Sequence, residues 1–255
     1  MRIFAIIAAV AAAPAAAQQQ EVELSSGVEY QRGDYGTGER IEILSVPSRF
    51  RLQSGRVTLT ANVPWQRIEG PGNAVGGGGL LGIIIDPTQP ATRSVRQGLG
   101  DVRLGATYAV PRESLGGVGF AVSGQVKLPT ASSAKGLGTG ETDYAVGAEV
   151  STRVGGLVPF AAIGYTIAGD PDGYQLRNGL SARAGAAFGL SKRAEAHVSY
   201  GYARNLSPRL GDEQQISTGI RAKVSKRLSV GVQGMAGLSD GSPDVGAGLS
   251  LGIRM

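Results

Sequence analysis

The sequence predicts an all-β protein: a transmembrane, antiparallel β-barrel of about twelve strands that follows an N-terminal signal peptide. Three observations predict this fold class. Apolar and polar residues alternate through most of the chain, tight turns alternate with long loops, and the chain begins with a short apolar segment typical of exported proteins.

The alternation is clearest between residues 98 and 154. In the run 102–110 the even positions are apolar or aromatic, while the odd positions include Arg103, Gly105 and Thr107. Side chains at alternate positions of a strand point to opposite faces of the sheet. Because the polar face carries full charges, the apolar face meets either a protein core or lipid.

Composition excludes several classes of function. The chain of 255 residues contains 41 Gly and no cysteine, which excludes a disulfide scaffold and thiolate chemistry. Its formal net charge is +5, and the basic residues are scattered singly along the alternating runs instead of clustering with aromatic residues. The sequence therefore predicts no nucleic-acid partner, and no residue pattern in it points to a metal or another cofactor.

The N-terminus has the pattern of a cleaved signal peptide. An apolar run over residues 3–13 is followed by small residues at 15–17, which predicts cleavage before Gln18. We therefore assign residues 1–17 to the signal peptide and residues 18–255 to the barrel. No later segment approaches the roughly 20 continuous apolar residues of a transmembrane helix, so any membrane crossing is made by strands.

The rest of the chain divides into strands and two kinds of connection. The predicted strands are 22–32, 40–52, 56–68, 101–111, 117–129, 142–154, 157–168, 178–190, 193–205, 214–225, 228–239 and 244–255. Tight turns such as 53–55 alternate with longer loops, of which 69–100 is the longest. Short turns at one end and long loops at the other are typical of an outer-membrane barrel with both termini on the periplasmic side.

This prediction places the protein in the cell outer membrane, in contact with membrane lipid. Barrel-insertion machinery and periplasmic chaperones are the partners expected during its biogenesis. The oligomeric state is left open.

Aromatic residues lie near the ends of the predicted strands. Those towards the long-loop end are Tyr30, Trp65, Tyr144, Tyr200 and Tyr202, and those towards the short-turn end are Tyr108, Phe120, Phe160 and Phe188. A soluble β-sandwich would place aromatic residues in mid-strand on its inner face. Two aromatic belts match the two interfaces of a membrane, so the apolar face is predicted to meet lipid.

The polar face is therefore predicted to line a lumen. Many strand glycines share this face, which favours a narrow open pore, although glycines that only relieve strand curvature would leave the same pattern. By parity the lining residues are Asp101, Arg103, Gln125, Lys127, Glu149, Arg183 and His197. Folding one hairpin about Ser114 predicts two opposed pairs. They are Asp101 with Lys127 and Arg103 with Gln125.

Two groups of segments carry a resemblance to a known family. One is 98–105 (GLGDVRLG) with 108–110 (YAV), and the other is 126–130 (VKLPT) with 136–140 (GLGTG) and 143–144 (DY). The chain resembles the bacterial outer-membrane transporter-like barrels named after the meta-cleavage pathway of phenol degradation. It departs from the expected pattern at Ala131, where Gly is expected, and at Met255, where outer-membrane barrels usually end on an aromatic residue. The resemblance implies a passive or facilitated route for small solutes, including aromatic or apolar compounds, and it brings no catalytic residues.

The longest loop, 69–100, contains four consecutive glycines at 76–79 and an apolar segment at 80–85. We do not expect an apolar segment of this kind to stay exposed to water. It either enters the mouth of the barrel as a constriction or packs on the other loops as a cover, and we favour packing, because exposed apolar patches that mark binding are the less common case.

The only histidine offers a competing hypothesis. His197 and Ser199 resemble the His-x-Ser pair of outer-membrane lipid hydrolases, in which the imidazole accepts the serine proton. Both residues lie on the polar face, however, and Tyr200 stands where those enzymes have Asn. The main prediction is a channel or transporter-like barrel, not an enzyme, in which small solutes diffuse and lumen charges set selectivity. A lipid hydrolase and a non-conducting structural barrel are the alternatives.

Overall fold

The computed structural model describes residues 20–78 and 82–255, and these form a closed antiparallel barrel of 12 strands. The strands in chain order are β1 (Gln20–Gly33), β2 (Ile41–Ser54), β3 (Val57–Pro71), β4 (Ala74–Gly78), β5 (Gly82–Ile85), β6 (Arg93–Leu99), β7 (Val102–Val110), β8 (Gly119–Leu128), β9 (Asp143–Ser151), β10 (Leu157–Ile167), β11 (Gly179–Gly189), β12 (Ala194–Ala203), β13 (Glu213–Lys223), β14 (Leu228–Gly237) and β15 (Val245–Arg254). Strands β4 and β5 form a separate hairpin that is not part of the barrel wall. Strands β6 and β7 both pair with β3, one after the other along its length, and together occupy one strand position of the barrel. The predicted all-β barrel is confirmed, and each predicted strand has a counterpart.

The barrel closes between its first and last strands. β1 pairs with β2 on one side and with β15 on the other, so Glu23 lies opposite both Arg51 and Arg254. The end of the barrel that carries both Gln20 and Met255 has tight turns, and the other end has long loops. We call them the periplasmic end and the outer end, following the orientation of outer-membrane barrels.

The predicted signal peptide, residues 1–17, lies outside the described residues. Within the part of the chain that the structure describes, no helix is long and apolar enough to cross a membrane.

The two faces of the barrel have the chemistry that the alternation predicts. Val122, Val146 and Leu249 are among the large apolar side chains exposed on the outside, a surface suited to lipid. On β8 and β9, Lys127 and Asp143 point inward and are buried. Parity therefore assigned the faces of these strands correctly.

Phe160 is an exception to the predicted aromatic belts. It pairs with Ser151 and Gly185 at inward positions, and its ring contacts the Arg183 side chain. The ring therefore faces the lumen. The first half of β10, which starts at Leu157, is apolar on both faces, so polarity did not reveal which side the ring occupies.

The hairpin of β7 and β8 pairs two residues away from the predicted register. The observed pairs are Arg103 with Lys127 and Gly105 with Gln125. The turn between the strands contains a 3-10 helix, Arg112–Leu115, which moves the centre of the hairpin past Ser114. A shift of two residues leaves the faces unchanged, so Lys127 still points inward.

The segment 69–100 was predicted as a loop, and this was wrong for much of its length. β3 continues to Pro71, and β6 extends the barrel wall by pairing with it. Val95 and Leu99 are the apolar residues of β6, and both are exposed on the outside. Two apolar positions give too weak an alternation to be recognised in the sequence.

A hydrophobic cluster fills the outer mouth of the barrel. Its buried members are Tyr35, Ile41, Ile68, Ala74, Ile83, Ala131, Leu137 and Leu210. They come from β2, β3, the β4–β5 hairpin and three loops, so the loops fold inward over the lumen. Burial raises the pKa of the Tyr35 phenol above its ordinary value, and the nearby carboxylates of Glu213 and Asp244 add to this, so the phenol stays neutral inside the cluster.

The described part of the apolar segment, residues 82–85, takes part in this cover. Ile83 and Ile84 are fully buried, which confirms the packing prediction for these two residues. Residues 79–81 lie outside the described residues.

Candidate functional site in the barrel lumen

The lumen contains several cavities that share lining residues. A cavity near the outer end has Arg103 and Gln125 in its wall, and Gln125 also lines a cavity of about 410 Å³ in the middle of the barrel. Arg183 joins this cavity to one of about 330 Å³. Arg49 and His197 connect that one to a cavity at the periplasmic end. These cavities follow one another along the lumen.

All seven residues predicted to line the lumen face the interior. They are Asp101, Arg103, Gln125, Lys127, Glu149, Arg183 and His197. Asp101 and Lys127 are withdrawn from solvent in an ion-pair cluster, whereas Glu149 and Arg183 are about half exposed. That any of them contacts a solute stays a prediction.

Lys127 is the centre of the buried ion-pair cluster. Its Nζ lies 2.8 Å from Oδ2 of Asp143 and 3.5 Å from Oδ2 of Asp101, and it donates a hydrogen bond to Oγ1 of Thr139 at 3.1 Å. All four side chains are almost completely buried. Two carboxylates share one ammonium here, and Arg103, opposite Lys127 across the hairpin, brings a second cation to the same region.

The ion-pair cluster fastens two outer loops to the barrel wall. Oδ1 of Asp101 accepts a hydrogen bond from the backbone N–H of Ala131, and Oδ1 of Asp143 accepts one from the N–H of Gly169, each at 3.0 Å. The sequence segments that carry the family resemblance therefore meet at this point. Strand periodicity predicted Asp101 near Lys127 but not the loops that bind to them, because loop and wall approach each other only in the folded barrel.

Gly138 allows the loop to approach the cluster closely. A Cβ atom at this position would lie 2.7 Å from Oδ2 of Asp101 and 2.8 Å from Cβ of Ala131. Both distances are shorter than van der Waals contact, so any side chain here would force Asp101 or the loop at Ala131 to shift.

The β4–β5 hairpin narrows the outer mouth. The backbone N–H of Gly76 donates to the carbonyl oxygen of Gly136 at 3.3 Å, and Nε2 of Gln66 donates to the carbonyl oxygen of Leu137 at 2.5 Å. These bonds hold the hairpin, the wall strand β3 and the loop that follows β8 together. The outer mouth is therefore covered by a packed assembly.

Arg49 is a lumen residue that sequence reasoning missed. It lies on β2, its Nη2 is 2.7 Å from Oε1 of Glu29, and it lines the same cavity as Arg183. The inward positions nearer the outer end of β2 are apolar, Ile41 and Ile43 among them, so polarity did not mark the inner face of this strand. Its antiparallel pairing with β1, whose faces are clear, sets Arg49 opposite the inward residue Ser25 and was the signal that could have found it.

Arg183 is held between an aromatic ring and a carboxylate. Its guanidinium carbon lies 5.1 Å from the centre of the Phe160 ring, and its Nη2 lies 3.8 Å from Oε2 of Glu149. The first contact is a cation–π interaction. The second is longer than a hydrogen bond, so the N–H groups of Arg183 are available to the lumen.

His197 and Ser199 both line the 330 Å³ cavity. The imidazole packs against Gly219, where a Cβ atom would lie 2.6 Å from Cε1 of His197. Both side chains face away from the lipid that a lipid hydrolase must reach. Within residues 20–78 and 82–255, no group of three or more His, Cys, Asp or Glu side chains could hold a metal ion.

The closed barrel, its apolar outer surface and its polar interior with successive cavities define an outer-membrane β-barrel with a channel-like lumen. The chain belongs to the family described as "Putative MetA-pathway of phenol degradation", whose sequence pattern matches residues 15–255. The resemblance seen in the sequence is thus confirmed. Among proteins with curated descriptions, none matches the sequence significantly.

Solved structures with a similar fold are outer-membrane barrels. An outer membrane channel from Pseudomonas putida F1 matches 96% of this chain and 100% of its own, with a TM-score of 0.69 and 12% identity. The NanC porin matches 90% of this chain and 98% of its own, with a TM-score of 0.55 and 7% identity. The translocator domain of the autotransporter NalP from Neisseria meningitidis matches 94% of this chain and 90% of its own, with a TM-score of 0.55 and 12% identity. At these identities the likeness shows the barrel fold alone.

Proposed function

We propose that the protein is an outer-membrane channel through which small solutes diffuse. The observation that carries the proposal is the series of cavities along the lumen, joined through Gln125, Arg183 and Arg49. Polar side chains line this path and offer hydrogen bonds to water and to solutes. The fold that the protein shares with an outer membrane channel from Pseudomonas putida F1 supports the proposal.

The charges of the lumen favour anions. The 330 Å³ cavity has Arg49 and Arg183 in its lining, and Glu29 is the acidic residue in the described part of that lining. In a narrow pore little water and salt screen such charges. Basic side chains in a pore attract anions, so we expect a weak anion preference.

A barrel that does not conduct at rest is the second candidate. It is favoured by the hydrophobic cluster in the outer mouth, which includes Ile83 and Leu137. While this cover stays packed, it obstructs the outer entrance to the cavities. Conduction would then require the β4–β5 hairpin to move.

Bilayer conductance distinguishes the two candidates. The purified protein is inserted into planar lipid bilayers and compared with a variant in which residues 74–85 are deleted. The deletion joins Asn73 to Asp86. The backbone N–H of Asp86 already donates a hydrogen bond to the carbonyl oxygen of Asn73 at 2.9 Å, so the two ends can be connected without disturbing the barrel wall. Current steps in the wild-type protein support an open channel, whereas current in the deletion variant alone supports a closed barrel.

We also propose that the chain is exported with removal of residues 1–17 and is inserted into the outer membrane by the barrel-insertion machinery. Membrane lipid then surrounds the apolar outer face, and periplasmic chaperones escort the unfolded chain. N-terminal sequencing of the protein from outer-membrane fractions should begin at Gln18. A first residue before Gln18 contradicts the proposed cleavage.

A further inference from the structure

We infer that the middle of the lumen is a binding site for small amphiphilic carboxylates, which are compounds with one carboxylate and a compact apolar or aromatic body. Arg49 and Arg183 hold the carboxylate, and the wall of small residues beside Arg183 holds the apolar body. The inference rests on the proposed channel function and names the class of solute that the channel favours.

The two arginines reach one cavity from opposite walls. Arg49 lies on β2 and Arg183 on β11, half-way round the barrel, yet both line the 330 Å³ cavity. Their side chains are 45% and 51% exposed, respectively. An anion in this cavity can therefore reach guanidinium groups on two sides.

The charge balance of the cavity leaves room for one monoanion. Glu29 is the carboxylate in its described lining, and it already accepts hydrogen bonds from Arg49 at 2.7 Å and from Gln233 at 3.4 Å. Within the described lining of this cavity no second carboxylate faces Arg183. Its neighbouring carboxylate, Glu149, belongs to the adjoining cavity and lies 3.8 Å away, longer than a hydrogen bond, so the guanidinium N–H groups can still bind an anion. A carboxylate suits this position, because the planar guanidinium binds it with paired hydrogen bonds.

The adjoining 410 Å³ cavity has a different chemistry. It shares Arg183 with the first cavity, and its wall is built largely from small side chains on inward positions. Among them are Ala121, Ala145, Gly147, Ala162, Gly164 and Ala203. Such residues leave space and offer apolar contact, as in other small-molecule sites.

Two features of the region around Arg183, where the two cavities meet, restrict the ligand further. The Phe160 ring supports Arg183 from one side and adds an aromatic surface beside the guanidinium. Glu149 lies in the lining of the 410 Å³ cavity and is about half exposed, so it repels a second carboxylate on the body of the ligand. The ligand class is therefore a monocarboxylate, and a neutral alcohol or a dicarboxylate fits less well.

Current block in planar bilayers tests the inference. Chloride current through the wild-type protein is measured while benzoate, acetate, benzyl alcohol or phthalate is added. We expect benzoate to block the current saturably, at a half-blocking concentration at least about tenfold lower than that of acetate or phthalate. Benzyl alcohol, which lacks the carboxylate, should produce no saturable block.

Matched variants assign the effect to the proposed residues. Arg49→Gln and Arg183→Gln should each raise the half-blocking concentration of benzoate about tenfold. Ala162→Leu fills the small-residue wall, so it should weaken block by benzoate and leave block by acetate unchanged. Arg221→Gln is the control, because Arg221 pairs with Glu23 near the periplasmic end, and block by benzoate should stay within about twofold of wild type.

The outcomes separate this inference from the proposed function. Chloride current that benzoate and acetate block equally would contradict the binding site but not the proposed channel function. Unchanged benzoate block in both arginine variants would do the same. Absence of chloride current in both the wild-type protein and the variant that lacks residues 74–85 would contradict both the channel function and the binding site. The comparison of benzoate with benzyl alcohol uses the wild-type protein alone, so it tests whether binding requires the carboxylate even if a variant fails to fold.

Discussion

Lys127 Nζ lies 2.8 Å from the carboxylate of Asp143, and this ion pair joins the neighbouring strands β8 and β9 inside the barrel. Through Asp143 and Asp101 the same ammonium holds two loops of the outer cover against the wall. The cover and the barrel are therefore joined through the buried ammonium of Lys127, with the Arg103 guanidinium in the same region.

Loss of that cation should destabilise the protein strongly. We expect Lys127→Met to lower the free energy of unfolding by about 3–5 kcal/mol, because it leaves the carboxylates of Asp101 and Asp143 buried without their shared partner. Urea unfolding in lipid vesicles, followed by Trp65 fluorescence, measures the change. The control is Lys135→Met at an exposed loop position, and equal stability of the two variants would contradict the role assigned to Lys127.

Glycine at position 138 should be required for the same contact. We expect Gly138→Ala to cost about 1–3 kcal/mol, because the new methyl group would overlap Asp101 and Ala131. Gly124→Ala is a matched control, since a Cβ atom there meets nothing within 4 Å. The same unfolding experiment compares them, and a Gly138→Ala variant as stable as Gly124→Ala would show that the loop does not pack as described.

The outward direction of Val122 gives a test of membrane orientation. We expect Val122→Arg to lower folding stability by about 2–4 kcal/mol, because it places a charge against lipid near mid-strand. Ser123→Arg points into the lumen and should be tolerated better. Folding yield into lipid vesicles measures both, and the opposite order of the two variants would mean that the faces are reversed.

Much of the fold could be predicted because strand faces are a local property. The inward direction of Lys127 and the outward direction of Val122 follow from alternation alone. The predicted register of their hairpin was wrong by two residues, because the register depends on the conformation of the turn, Arg112–Leu115. The sequence pattern carries little information about such a turn.

The candidate site was predicted in part for the same reason. The direction of Arg183 and Glu149 follows from parity, but Arg49 was missed where the inner face of β2 becomes apolar towards the outer end. The meeting of Asp101, Lys127 and Asp143 with the loops depends on contacts between distant parts of the chain. Periodicity within a strand does not encode such contacts.

The measurement that tests the central claim most directly is the reversal potential in a salt gradient, for wild type, Arg183→Glu and the turn control Lys192→Glu. The wild-type protein should conduct with a weak anion preference, because Arg49 and Arg183 face the middle of the lumen. Arg183→Glu should shift the reversal potential towards cations, while Lys192→Glu, an exposed position at the periplasmic end, should change it little. Absence of current in the correctly folded wild-type protein, or a reversal potential that Arg183→Glu leaves unchanged, would contradict a pore whose selectivity is set by its lumen charges.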